Sequence, residues 1–203
     1  MPGVMFRTDV ERETGLSWER WVKLLEENCG PAPTCDQLAE YLQERGVGPE
    51  WVPIIADMYG ERLGRKPVGQ TMDVGFNVGI RRTAAIPKEE AWHHLVSPSG
   101  LKLWIGDVEP FPLQVGSVFQ SKGGVSGKLG VVKPYEKLRM SWRRREWDNP
   151  STLQITLLAT KTGKTTFAFH QEKLEDVYMR YVMKRHWEKV VDRLIETAVR
   201  HIR

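Results

Sequence analysis

Apolar residues in the first seventy positions recur at the spacing of amphipathic helices. One stripe follows Ser17, which is the predicted N-cap, and a second follows Thr34. A third stripe has Pro49 in its first turn, where the missing N–H of proline leaves no partner unsatisfied. The pattern therefore predicts an N-terminal unit of three helices over residues 1–70, which ends in a polar, glycine-bearing linker.

The period changes after residue 70. Phe76, Val78 and Ile80 alternate with less apolar residues, as in a β-strand, and a helix follows Pro87. A short element around Trp104 precedes a run of strands. We predict these strands at residues 115–121, 125–133, 137–147, 151–160 and 164–174. The chain then forms one long helix, about 177–202, whose apolar stripe suits packing on a sheet.

Consecutive strands followed by a helix predict an α+β domain over residues 71–203, with an antiparallel sheet covered on one face. Alternation assigns one set of side chains to the covered face: Leu138, Met140, Trp142, Leu153, Ile155, Leu157, Phe167 and Phe169. The opposite set is polar and suited to water. A curved sheet that grips one helix tends to leave a gap between them, so this face is the candidate binding site.

Net charge is +4 and is unevenly distributed. Residues 1–70 hold 8 Lys/Arg and 12 Asp/Glu, a net −4, which leaves 22 and 14, a net +8, for residues 71–203. This asymmetry favours two units with different surfaces. The basic part could attract an anionic ligand or an acidic protein, and a solvated basic face is the simpler interpretation.

Two further features predict a cytoplasmic protein. Residues 1–10 lack the apolar run of a signal peptide, and no segment reaches the roughly 20 apolar residues of a membrane helix. Cys29 and Cys35 are close enough in sequence for a disulfide, but two free thiols at a turn between helices are expected in this compartment. We predict no membrane association, and oligomeric state is left open.

Short motifs follow one another in a recognisable order. They are Arg81-Arg82-Thr83 before Pro87, Trp92 with Ser97-Pro98, Leu103-Trp104, Val115-Gly116-Ser117-Val118-Phe119, Leu138 to Trp142, and Thr165-Thr166 before His170. This series resembles the activators of heat-shock-protein-90 ATPase and their homologues, within the START/Bet v 1 (SRPBCC, helix-grip) superfamily. Residues 14–70 similarly resemble a small helical domain of unknown function that often precedes such domains, on Thr14-Gly15-x-Ser17-Trp18 and Tyr59-Gly60-Glu61-Arg62.

The resemblance implies a fold more than an activity. Members of the superfamily bind lipids, hormones or polyketides under the long helix, some are cyclases or hydrolases, and some bind chaperones. We therefore predict non-enzymatic binding of a small hydrophobic or amphipathic ligand in a cavity between sheet and C-terminal helix. The alternatives are a protein-interaction or chaperone co-factor module and, third, an enzyme that acts on a cavity-bound substrate.

The candidate cavity residues are the inward ones. They are Arg82, Trp104, Phe119, Met140, Trp142, Ile155, Phe167, Phe169, Met183 and Trp187. Cavity wall and plain core look alike in sequence, because ligand pockets are mostly apolar. Arg82, at the inward phase of the first strand, is the predicted partner for an anionic ligand.

Other chemistries are weakly represented. Arg143-Arg144-Arg145 between Trp142 and Trp147 is the one basic and aromatic cluster that nucleic acid could use, but an edge strand guarded by charges is the preferred interpretation. His93 and His94 are adjacent on a helix and cannot share a metal ion. Residues 162–165 end like a phosphate loop but fall between strands. We predict no nucleic acid, no metal, no cofactor and no catalytic residue.

Overall fold

The computed structural model describes residues 4–65, 70–71 and 75–201. Its helices are α1 Val4–Thr14, α2 Trp18–Asn28, α3 Cys35–Glu44, α4 Val52–Arg62, α5 Lys88–Val96, α6 Pro98–Trp104 and α7 Val177–His201. Its strands are β1 Gln70–Thr71, β2 Gly75–Ala84, β3 Val118–Gln120, β4 Val125–Lys133, β5 Lys137–Arg144, β6 Ser151–Ala159 and β7 Thr165–Leu174. None of the described helices is both long and apolar enough to cross a bilayer.

Two compact units make up the chain. The first comprises residues 1–76 and 175–181, and the second comprises residues 77–174 and 182–203. The division predicted at residues 70 and 71 assigns all of α7 to the second unit, whereas the compact units share this helix. Its first turn is therefore described with the N-terminal helices.

The first unit contains the three predicted helices and one more. Helix α1 was not predicted, because Phe6 and Val10 are the only fully buried residues among its described side chains, and two apolar positions give a weak helical pattern. Helix α4 was predicted to begin near Pro49. It begins instead at Val52, so that Pro53 occupies its first turn.

Side chains cap α2 and α3 as their sequences predict. The Ser17 hydroxyl accepts a hydrogen bond from the backbone N–H of Arg20 at 3.3 Å. At α3, Thr34 and Gln37 form a reciprocal capping box, with 3.2 Å and 2.8 Å between the paired atoms. Cys29 and Cys35, on either side of this turn, are free thiols.

Aromatic rings form the centre of the first unit. Phe6 packs edge-on against Trp18, with ring centroids 5.1 Å apart. Tyr178, from the first turn of α7, stacks on Trp51 at 5.7 Å and also contacts Phe6. The Tyr178 hydroxyl donates a hydrogen bond to Asp9, so both ends of this side chain are held within the first unit.

The second unit is built on an antiparallel sheet. The strand order is β1-β2-β7-β6-β5-β4-β3, so β5 is an interior strand between β6 and β4. The predicted strands are present, although β3 covers only Val118–Gln120, and β1 was not predicted. The edge-strand interpretation of the basic run on β5 is therefore wrong.

Burial follows the predicted alternation. Strand β6 reads buried and half-buried in turn from Ser151 to Leu157, and β5 and β7 do the same. The predicted inward residues of these three strands are all at most 2% exposed. With α7 and the long antiparallel sheet, the α+β helix-grip architecture is confirmed.

Candidate functional site

The nine predicted apolar site residues are all buried, and the structure sorts the aromatic ones into two groups. Beside β3, an edge strand of the sheet, Phe111 contacts both Trp104 and Phe119, with ring centroids 5.9 Å and 5.4 Å apart. Phe169 and Trp187 form part of a second group, with centroids 5.4 Å apart. Met140, Ile155, Phe167 and Met183 are each at most 1% exposed and complete the buried face.

Within the second aromatic group, four rings lie where the end of β5 meets α7, and we call them the tryptophan cluster: Trp142, Trp147, His186 and Trp187. Trp142 is at its centre, with ring centroids 5.2 Å from Trp147, 5.5 Å from Trp187 and 6.2 Å from His186. His186 also packs on Trp187 at 4.6 Å. The three tryptophans are nearly inaccessible to solvent, whereas His186 is half-buried.

A buried hydrogen-bond chain ties one side of this cluster to the sheet. The indole N–H of Trp187 donates to Gln171 Oε1 at 2.7 Å. The Gln171 amide donates in turn to the Ser151 hydroxyl, and that hydroxyl donates to the backbone carbonyl of Trp142, both at 2.7 Å. Each buried polar group on this path is satisfied, as low-dielectric interiors require.

The other side of the cluster contains polar atoms that are not satisfied. Trp142 Nε1, Trp147 Nε1 and His186 Nε2 are buried, and none has a hydrogen-bond partner among the described residues. A buried donor or acceptor left without a partner costs about 1–3 kcal/mol. Of the four such atoms among the described residues, three belong to this cluster, where the Trp147 and His186 rings both contact that of Trp142.

Arg144, the last residue of β5, adds a positive charge to the cluster. It is two residues after Trp142 on the strand and therefore lies on the same face of the sheet. Its side chain is half-buried, and its guanidinium carbon lies 5.8 Å from the centre of the Trp142 ring. Burial lowers the pKa of Arg144, and the neighbouring Glu146 acts in the opposite direction. No carboxylate in the described part of the chain forms a salt bridge with this guanidinium within 4 Å.

His186 is neutral at physiological pH. Burial, assisted by the positive charge of Arg144, lowers its pKa from 6.5 to about 4. The imidazole therefore presents one donor nitrogen and one acceptor nitrogen, according to its tautomer. Arg144 is thus the formal charge that this group of residues carries near pH 7.

Arg82, the predicted partner for an anion, is differently placed. Its position on β2 has the inward phase, but the side chain is 45% exposed and pairs with Asp192 on α7 at 3.3 Å. The Arg82 guanidinium thus already has a carboxylate partner within the protein. Among the inward-phase arginines, Arg144 is the one beside buried rings.

Sequence reasoning missed several residues of the cluster. Trp147 and Arg144 belong to the basic and aromatic run, which the sequence predicts to be a charged edge strand. Gln171 and Ser151 gave the clearest unused signal, since each is a polar residue at an inward position of a predicted strand. Such residues are buried at a cost unless something satisfies them.

A separate groove of about 400 Å³ crosses the sheet at β3, β4 and β5. Its lining is Val118, Phe119, Gln120, Ser126, Gly127, Lys128, Ser141, Arg143 and Pro150. Val118 is 73% exposed, and the two charged lining residues are both basic. Within the described ranges, no three His, Cys, Asp or Glu side chains approach one another closely enough to hold a metal ion.

Comparison with known proteins identifies the second unit. A family model described as "Activator of Hsp90 ATPase homolog 1-like protein" matches residues 85–198, more than half of the chain. No curated protein gives a significant match to the sequence.

Solved structures share the fold at low sequence identity. Protein MLL2253 from Mesorhizobium loti matches with a TM-score of 0.55 and 22% identity, over 61% of this chain and 97% of that one. CalU16 from Micromonospora echinospora gives 0.53 and 22%, over 64% and 80% of the two chains. The Aha1 dimer from Colwellia psychrerythraea gives 0.51 and 17%, over 60% and 95%. These likenesses show the fold alone.

Proposed function

The chain belongs to the family of Activator of Hsp90 ATPase homolog 1-like proteins. From this premise we propose that its second unit binds a small hydrophobic or amphipathic ligand between the sheet and α7, without catalysis. The observation that carries the proposal is the tryptophan cluster with its three unsatisfied ring nitrogens. Large apolar surfaces with a few unpaired polar atoms are typical of ligand sites. A bound ligand would supply the partners that these nitrogens lack.

The cluster also offers a route for entry. His186 is half-buried on α7 and Trp147 lies just beyond the end of β5, so both are at the margin of the buried face. A modest separation of α7 from this end of the sheet would admit a ring between Trp142 and Trp187. The cytoplasmic location predicted from the sequence is part of the proposal, supported by the two free thiols.

Native mass spectrometry of freshly purified full-length protein tests the proposal. We expect a reproducible extra mass that is released on denaturation and lost in Trp142→Leu. Val118→Ser, which changes a 73% exposed residue outside the cluster, is the control that should retain the mass. Circular dichroism establishes that both variants are folded. A clean apo mass in every preparation contradicts the proposal.

A protein-interaction module is the second candidate, and the groove on the sheet favours it. Lys128 and Arg143 line this groove together with the exposed Val118, which suits an acidic segment with apolar side chains. We expect acidic proteins to be retained by the full-length chain at low salt and released as salt rises. Lys128→Glu with Arg143→Glu should abolish the retention, and Lys161→Glu, in the turn between β6 and β7, should not.

A further inference from the structure

We propose that the polar end of the bound ligand is an anionic oxygen, and that the tryptophan cluster and Arg144 select a small aromatic molecule carrying a carboxylate. This inference rests on the proposed function and names the class of ligand. It follows from the hydrogen-bonding character of the ring nitrogens that have no partner in the cluster.

The unsatisfied indole groups define the chemistry of their partner. An indole N–H can only donate a hydrogen bond. Trp142 Nε1 and Trp147 Nε1 therefore call for an acceptor, and neither a hydrocarbon nor an ammonium group supplies one. Trp187 shows the satisfied state within the same cluster, because Gln171 Oε1 accepts from it at 2.7 Å.

Charge points to the same class of ligand. The half-buried Arg144 has no salt-bridge partner within the described residues, and its guanidinium lies over Trp142. A cation drawn out of water is stabilised by an anion with which it can form paired hydrogen bonds, and guanidinium fits carboxylate geometry best. Neutral His186 adds no charge of its own to the cluster, and Glu146, the carboxylate that acts on Arg144, is exposed and forms no salt bridge with it among the described residues.

Ring geometry sets the apolar part of the ligand. Trp142 contacts three other rings at 5.2–6.2 Å between centroids, mostly in edge-to-face or tilted arrangements. A flat aromatic group can insert among such rings with stacked or edge-on contacts, which add about 0.5–1.5 kcal/mol per pair to the burial of its area. An aromatic carboxylate joins this flat body to the acceptor that the indoles and Arg144 require.

Three probes of equal ring size test the inference on the full-length chain: 2-naphthoate, naphthalene and 2-naphthylmethylammonium. Calorimetry gives the dissociation constants, and two-dimensional ¹⁵N–¹H spectra follow the indole N–H signals, assigned with Trp147→Phe and Trp142→Phe. We expect naphthoate to bind at least ~10-fold more tightly than either other probe, about 1.4 kcal/mol. The Trp142 or Trp147 indole signal should move downfield, and that of Trp187 should move least.

Arg144→Gln should remove most of the preference for naphthoate, while Arg145→Gln, one residue later and exposed beside Gly124, should keep it. If naphthalene binds as tightly as naphthoate, the site is a plain apolar cavity and the inference fails while the proposed function stands. If naphthoate does not bind at millimolar concentration, the inference also fails. The native mass spectrum then decides independently whether the proposed function fails with it.

Discussion

At the scale of single residues, the three tryptophans of the cluster differ in whether their indole N–H forms a hydrogen bond. Trp187 is paired because Gln171, from β7, reaches it, whereas Trp142 and Trp147 lie beside other rings that offer no acceptor. The hydrogen-bonded chain of Trp187, Gln171 and Ser151, which we call the satisfied half, should stabilise the fold. The unbonded ring nitrogens of Trp142, Trp147 and His186 should be available to a ligand.

Ser151 tests the satisfied half. Its hydroxyl donates to the Trp142 carbonyl and accepts from Gln171, so Ser151→Ala removes two buried hydrogen bonds at once. We expect the free energy of unfolding to fall by about 1–3 kcal/mol, measured by urea denaturation. Ser126→Ala, at a half-exposed position on β4, is the matched control and should change it far less. Equal effects of the two substitutions would contradict the buried chain.

His186 should make stability depend on pH. Its pKa is about 4 in the folded chain and ordinarily 6.5, so between these values the unfolded chain binds more protons. The free energy of unfolding should therefore decrease as pH falls from about 6.5 to about 4, by about 1–3 kcal/mol from this residue. His186→Phe should lose that part of the decrease. His170→Gln, on the outer face, should retain it, and an unchanged pH slope in His186→Phe would rule out the effect.

At the scale of elements, strand β4 combines two glycines with different surroundings. A Cβ at Gly127 would lie 2.0 Å from the backbone oxygen of Ser141 and 2.6 Å from the ring of Phe119, its cross-strand neighbour. A Cβ at Gly130 would meet only the Arg139 carbonyl oxygen, at 3.6 Å. Close passage of Phe119 over β4 therefore requires glycine at 127.

Gly127→Ala should consequently destabilise the protein by about 1–3 kcal/mol, since backbone atoms must move to admit the methyl group. Gly130→Ala, on the same strand, should be tolerated. Thermal unfolding followed by circular dichroism compares the two variants. The contact argument is wrong if the melting temperature falls equally in both.

At the scale of the whole molecule, the two compact units are not two consecutive segments. Helix α7 gives its first turn to the first unit, where Tyr178 contacts Phe6 and Trp51 and where Tyr181 donates to Asp57 at 2.7 Å. The N-terminal helices therefore complete their core with residues that lie at least 124 positions further along the chain than their partners.

A fragment of residues 1–76 should accordingly fold poorly. It lacks Val177, Tyr178 and Met179, each at most 7% exposed in the full chain. We expect no cooperative thermal transition from the fragment by circular dichroism. Full-length Tyr178→Phe, which keeps the ring and loses only the hydroxyl, should still melt cooperatively. A fragment that melts like the full chain would show that the first unit does not need α7.

The sequence by itself determined the elements and the faces they bury. Period-two alternation in β5, β6 and β7 identified the inward residues, because side-chain direction along a strand is a local property. An uninterrupted amphipathic stripe identified α7 for the same reason. The family resemblance, on motifs spread along this order, identified the helix-grip fold.

Only the tertiary structure decided which inward residues meet. Strand pairing is non-local, so nothing in the β5 sequence alone places that strand between β4 and β6, or places Gln171 beside Trp187. Arg82 and Arg144 share the inward phase, yet Asp192 of α7 pairs with the first, while the second lies by Trp142. The two arginines differ because different side chains pack beside them, and these side chains come partly from elements that are distant in sequence.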